Sequence, residues 1–376
     1  MTDINKEQVL KVLAGVVDPI SKKGIVSAGM VSGLQVKDGH VAFAIEVDPA
    51  NGPQMEPLRK EVEKLVYAMA GVLTATVVLT AEKASGHTQP SQQQAAQQQS
   101  QHQASAISPL PGVRSIIAVA SGKGGVGKST TSANLALALS ANGKKVGLMD
   151  ADIYGPSMPR MMGITGQPVS NDGKILEAME NYGVKVMSMG FLIEDDTPMI
   201  WRGPMVQSAL EQMMRDVNWG ELDVLVVDLP PGTGDAQLTM AQRVPLTGAV
   251  IVSTPQDIAL LDARKGLNMF RKVNVPVLGI IENMSYFNCP QCGHRSEIFS
   301  HGGARAEADR LACDFLGEIP LDIDIRTTSD KGSPIVISQP LGELAKCYRA
   351  IAIEVAGKID DVLAERETST PKIIIQ

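Results

Sequence analysis

Gly122-Lys123-Gly124-Gly125-Val126-Gly127-Lys128-Ser129-Thr130 lies between an apolar run, Ser115 to Ala120, and a segment, Thr130 to Leu139, with apolar residues at helical spacing. The run reads as a buried strand and the segment as a helix. Strand, glycine-rich loop and helix, with G-x-x-x-x-G-K-S spacing, describe a phosphate-binding loop. The glycines let the backbone turn tightly and aim successive N–H groups inward, and the helix N-terminus adds a field that favours anions. Lys128 reaches the outer phosphates of a nucleotide, and the Ser129 hydroxyl is placed to ligate magnesium.

Outward from this loop, short apolar strands alternate with helical segments. The expected strands are Ser115–Ala120, Lys145–Asp150, Val184–Met189, Val224–Leu229, Ala249–Ser253 and Val277–Ile281. The repetition predicts an α/β fold, a doubly wound and mostly parallel sheet with helices on both faces. Ligands in such sheets lie at the C-terminal strand ends. Two of those ends carry carboxylates. Asp150-Ala151-Asp152 closes the second strand, where one carboxylate can hold magnesium or its waters and the other orient a water on the γ-phosphate; a helix N-cap is the alternative use. Val224 to Asp228 is an apolar strand ending in a carboxylate, the form of a Walker B element that ligates magnesium. Leu229-Pro230-Pro231-Gly232-Thr233-Gly234-Asp235 follows as a tight loop able to sense the γ-phosphate and move.

Farther on, Cys289-Pro290-Gln291-Cys292-Gly293 is a tight turn that aims two sulfurs at one point. Thiolates so spaced chelate zinc or an iron–sulfur cluster, and both usually need four ligands. There is no second C-x-x-C in the chain. Cys313 and Cys347 stand alone in expected helices as small buried residues. The missing pair can come from a second subunit about a two-fold axis. Local chemistry leaves cluster and zinc about equally served.

Composition narrows the partners. A net charge of -7 and 3% aromatic residues argue against general attraction to nucleic acid or anionic membranes. No apolar run is long enough to span a bilayer, and Met1 to Lys6 lacks the start of a secretory signal. Four cysteines in 376 residues do not make a disulfide framework, so a reducing cytoplasm is the expected compartment.

The first 82 residues read as a separate α+β domain in the order α-β-β-α-β. Residues 4 to 17 have helical spacing, Ile25 to Val36 reads as a strand, and Asp38-Gly39 is a hairpin signal. Val41, Phe43, Ile45 and Val47 alternate as in a half-buried strand. Pro53 opens a helix with Met55, Leu58, Val62, Leu65 and Met69 on one face, and Leu73 to Thr80 is the third strand. Residues 83–111, rich in Gln, Ala and Ser, form a flexible linker. The main domain is expected over 112–364 and a tail over 365–376.

The two-lysine loop, with Lys123 at its second position, resembles the deviant Walker A loop of dimeric ATPases such as MinD and ParA. Together with D-A-D-I-Y-G-P-S from Asp150, D-x-P-P-G-T-G-D from Asp228 and the C-P-x-C pair, it resembles the Mrp/ApbC family of iron–sulfur cluster carrier ATPases, from about Val113 to about Val362. Residues 5 to 82 resemble the SufT-like domain of iron–sulfur assembly proteins. They depart from it in having no cysteine at Asn51-Gly52-Pro53-Gln54-Met55-Glu56, which leaves a docking role or a structural one. The resemblance implies a P-loop NTPase using ATP and Mg2+. It implies Gly122 to Thr130 as the nucleotide cradle, Lys123 acting across a homodimer, Asp152 activating water and Asn283 reading adenine; a strand-end turn is the other use of Asn283. It also implies a 4Fe–4S cluster bridging Cys289 and Cys292 of two subunits, taken from scaffold proteins and passed to apoproteins, with no role for nucleic acid or membrane. The competing expectation is a MinD- or ParA-like positioning ATPase whose cysteines form a structural zinc knuckle.

Overall fold

The computed structural model describes residues 6–20, 23–37, 40–46, 52–69, 72, 74–80, 110–170, 173–193 and 203–369. The Asp38-Gly39 turn, most of the linker and the last seven residues lie outside these. The chain divides into two compact units, Met1–His102 and Gln103–Gln376.

The first unit has helices α1 (Lys6–Leu13) and α2 (Gly52–Tyr67) and strands β1 (Val31–Lys37), β2 (His40–Glu46) and β3 (Thr74–Thr80). β2 pairs antiparallel with β1 and parallel with β3. The alternation in β2 buries Val41, Phe43 and Ile45 against Val9, Leu13, Met55, Leu58 and Val62. Three expectations are corrected. The strand expected from Ile25 starts at Val31, because residues 26–29 form a turn. The first helix stops at Leu13, before Gly15. Val66, not Leu65, completes the buried face of α2; Leu65 is 40% exposed.

The second unit is built on an eight-stranded sheet. Its strands are β4 (Ile116–Ala120), β5 (Val146–Asp150), β7 (Met179–Asn181), β8 (Val184–Ser188), β10 (Val224–Asp228), β11 (Gly248–Ser253), β12 (Val277–Asn283) and β15 (Phe315–Ile319). Their order is β15-β12-β11-β4-β10-β5-β8-β7. All neighbours are parallel except the short edge strand β7. A small separate pair, β6 (Leu176–Glu177) with β9 (Val217–Asn218), lies outside it. All six expected strands are present. β15 lies outside the six expected strands and closes with Glu318 and Ile319.

The helices are α3 (Lys128–Ala141), α4 (Met158–Met161), α5 (Gly203–Arg215), α6 (Asp235–Arg243), α7 (Asp257–Lys272), α8 (Gly303–Arg310), α9 (Ile323–Asp330), α10 (Ile335–Ser338) and α11 (Glu343–Ser369). Every residue of α3 from Thr131 to Leu139 is buried, which its small Ala, Ser and Thr side chains permit. α11 continues to Ser369, into the stretch expected as a tail. β4 is the switch point: from it the chain builds β10, β5 and β8 to one side and β11, β12 and β15 to the other. A crevice therefore opens at its carboxyl end, where the phosphate loop lies.

Candidate functional site

Three adjacent strands, β4, β10 and β5, bring the loop, Asp228 and Asp150 to one edge of the sheet. The loop turns into α3 through Gly127, whose φ of +79° suits glycine. A Cβ on Gly127 would overlap the Asn283 amide, and one on Gly122 would overlap the backbone of Asp262 in α7. Both glycines are thus required by close approach. Gly124 and Gly125 are exposed and form the open side of the cradle.

Asp228 is the hub. Its Oδ1 accepts from Lys128 Nζ at 2.7 Å and from Ser132 Oγ at 2.6 Å, and its Oδ2 accepts from Ser129 Oγ at 2.7 Å. Lys128 Nζ also lies 3.3 Å from Ser129 Oγ. The Lys128–Asp228 pair is buried, at 6% and 0% exposure. The sequence reading missed Ser132. The available signal was its helical spacing, three and four residues after Ser129 and Lys128.

Asp150 is enclosed differently. Its Oδ1 accepts from Asp152 N (3.2 Å), and its Oδ2 from Ser157 N (3.0 Å), Met158 N (3.1 Å) and Ser188 Oγ (3.0 Å). It ties residues 151–158 to β8 and caps the start of α4. Burial, then the charge of Asp228, push its carboxyl up to about 7. Burial also raises Asp152, with Lys128 opposing and Asp228 reinforcing the shift.

The raised value makes a pH prediction. An unfolded aspartate titrates near 3.8. The neutral form is favoured in the folded chain, so its stabilising contribution is complete below 3.8 and is lost as pH rises through about 7. Urea unfolding in EDTA between pH 5 and 8 is expected to show wild-type stability falling by up to ~1.4 kcal/mol per pH unit from this group. In Asp150→Asn that slope is expected to flatten. Equal slopes in the two proteins would refute the assignment.

The loop is tied to its surroundings on both sides. Gly232 N donates to Ser121 O at 3.0 Å, joining the proline–glycine loop to the end of β4, and Ala151 N donates to Asp228 O at 2.9 Å. Asn283, 7% exposed at the end of β12, donates from Nδ2 to Val126 O at 2.8 Å. Its amide donor thus braces the loop. Lys123 is half-buried and makes no ion pair among the described residues.

Beyond β12 the chain forms a hairpin, β13 (Phe287–Asn288) antiparallel to β14 (Arg295–Ser296), with both cysteines at its tip. Cys289 N donates to His294 O at 2.9 Å and Gly293 N to Cys289 O at 2.8 Å. Cys292 is exposed and Cys289 half-buried. The backbone N–H groups of Gln291 and Cys292, then the Cys292 thiol, lower the Cys289 thiol below its usual range. Burial raises Cys313 and Cys347. Cys347 lies in α11 as expected, but Cys313 lies in the loop before β15, and both are half-buried rather than buried. Iodoacetamide at pH 7.5 is therefore expected to label Cys289 before Cys313 and Cys347, read by peptide mass. Equal labelling would contradict a thiolate-stabilising turn.

Residues 112–356 match the family described as NUBPL iron-transfer P-loop NTPase. The chain belongs to this family. Residues 6–77 match a second family, described as iron-sulfur cluster assembly protein. An iron-sulfur cluster carrier protein of Synechocystis is 45% identical over 361 residues, 95% of this chain and 98% of that protein. The mouse iron-sulfur cluster transfer protein NUBPL is 57% identical over 253 residues, 67% of this chain and 79% of its own. A nucleotide-binding protein from Archaeoglobus fulgidus, solved in complex with ADP, superposes with a TM-score of 0.56 at 40% identity, over 64% of this chain and 93% of that one. Among the described residues, no helix is long and apolar enough to cross a membrane.

Proposed function

We propose that the protein is an ATP-hydrolysing carrier that holds a 4Fe–4S cluster between two copies of itself, through Cys289 and Cys292 of each, and delivers it to apoproteins. The observation that carries this reading is the hairpin tip. It offers two thiol sulfurs, one exposed, from a turn whose N–H groups lower the Cys289 thiol, and a four-ligand site is then completed by symmetry.

The nucleotide site fits Mg-ATP. Ser129 Oγ and Asp228 Oδ2 are hard oxygen donors 2.7 Å apart, suited to magnesium. Magnesium supplies charge neutralisation at the β- and γ-phosphates. Lys128 exchanges Asp228 for phosphate oxygens on binding, and Ser132 keeps hold of the carboxylate as it does so. Asp150 organises residues 151–158 and so sets the position of Asp152, which orients the attacking water. Lys123, which makes no ion pair among the described residues, reaches the nucleotide of the partner copy. In this reading residues 1–82 dock donors or acceptors, 83–111 tether them, and the low cysteine content, four in 376 residues, supports a reducing compartment such as the cytoplasm. Asn283 serves the loop first; any contact with adenine falls to its Oδ1.

Anaerobic reconstitution with iron and sulfide tests the reading. A brown dimer with about four irons per two chains is expected. A colourless dimer holding one zinc would overturn the carrier role and leave the cysteines a structural clasp.

A further inference from the structure

Two neighbouring residues at the end of β12 face opposite functional loops. Asn283 holds the phosphate loop through Val126 O, and its amide packs so closely on Gly127 that no Cβ fits between them. Glu282, fully buried, faces the hairpin side. Its Oε2 accepts from Ala304 N at 2.7 Å, at the start of α8, and its Oε1 from Ser285 Oγ at 2.6 Å. Ser285 Oγ also lies 3.0 Å from Glu318 Oε2, and its N–H donates to Ile319 O at 3.0 Å. Glu318 pairs with Arg295 of the hairpin at 3.7 Å, and the Arg295 guanidinium stacks 3.8 Å over Tyr286.

Between the two arms stands Met284, with φ of +55°, a left-handed conformation that costs a non-glycine residue free energy. The strand therefore passes from loop to hairpin through a fixed turn, held on both sides by buried hydrogen bonds. A shift of Val126 or Gly127 toward phosphate has little slack to absorb it before Cys289, six residues after Asn283. Nucleotide-binding switches usually act through loops that respond to the γ-phosphate; this connection runs instead through the end of β12.

We propose that the end of β12, Glu282 to Ser285, couples the phosphate loop to the cysteine hairpin, so that a nucleoside diphosphate in the loop slows reaction at the half-buried Cys289 thiol. The proposal rests on the nucleotide-binding reading above and needs no cluster. Occupancy of the loop fixes Asn283, which stiffens the turn and damps the hairpin motion that uncovers the half-buried Cys289.

The test is the rate of iodoacetamide labelling of Cys289 and Cys292, read by peptide mass, with and without saturating Mg-ADP. Wild type is compared with Met284→Gly and Ser285→Ala, each checked by sizing to be in the same assembly state in both arms. Glycine accepts the turn's φ and loosens it; alanine removes the hydroxyl between Glu282 and Glu318. Mg-ADP is expected to slow labelling of Cys289 at least about fivefold in wild type and by less than about twofold in either variant, while ADP affinity stays within about threefold. Cys313 serves as the internal control, with an unchanged rate. Unaltered wild-type labelling despite measured ADP binding would overturn the link alone, and so would full protection surviving in both variants. Failure of wild type to bind ADP would overturn the nucleotide reading and the link together.

Discussion

Lys128→Ala is expected to weaken Mg-ATP binding by more than about a hundredfold and to abolish measurable hydrolysis, because it removes the charge-assisted contact to the outer phosphates. The same change is expected to destabilise the protein in the absence of nucleotide. Asp228 is fully buried and its pair with Lys128 is 2.7 Å long. Removing one partner of a buried pair strands the other charge, at a cost of ~3–5 kcal/mol. Ser129 and Ser132 still donate to the carboxylate, which places the expected loss near ~3 kcal/mol. Urea unfolding reads the stability term and calorimetric titration the binding term. Lys123→Ala gives the contrast. That lysine has no ion-pair partner among the described residues, so stability is expected to change by less than ~0.5 kcal/mol. ADP affinity should change little and hydrolysis should fall. Equal stability losses at the two lysines would show that the Lys128–Asp228 pair is not the energetic hub described above.

Cys289→Ala and Cys292→Ala are each expected to remove the brown chromophore completely rather than by half. A site assembled from two copies of one pair loses two of its four ligands with either change. Cys292 is exposed and Cys289 half-buried, so unfolding midpoints should stay near wild type; loss of iron then reports ligation, not misfolding. Cys313→Ser and Cys347→Ser are expected to keep full iron, read by absorption and metal analysis on the dimer fraction. Full iron in Cys289→Ala would dismiss the hairpin as the cluster site.

The six expected strands were legible because they are short, mostly apolar runs that are almost entirely buried. β15 escaped because Gly317 and Glu318 interrupt its apolar run, and its place beside β12 is a tertiary fact. The loop, Asp228 and the cysteine turn were legible because their chemistry is fixed by local spacing. The contacts of the carboxylates were not. Nothing in Asp150-Ala151-Asp152 says that one carboxylate collects four donors from the following loop and from Ser188, while Asp228 meets hydroxyls nearly a hundred residues earlier. Asn283 shows the same limit. An asparagine at a strand end reads as a turn or a base reader, and only the adjacency of β12 to the loop makes it a brace.

The strand order β15-β12-β11-β4-β10-β5 also has a consequence for how such a protein changes over time. In the proposed reading hydrolysis would depend on side chains after β4, β10 and β5; the dithiol follows β12, on the other flank of β4 and two strands away, about 10 Å. Substitutions that alter the cargo, whether its metal, its ligand number or its exposure, fall on one flank. Those that alter the clock set by nucleotide turnover fall on the other. The bridge between the flanks is the turn from Glu282 to Ser285, so in the proposed reading the two traits can be selected separately only while that turn is kept.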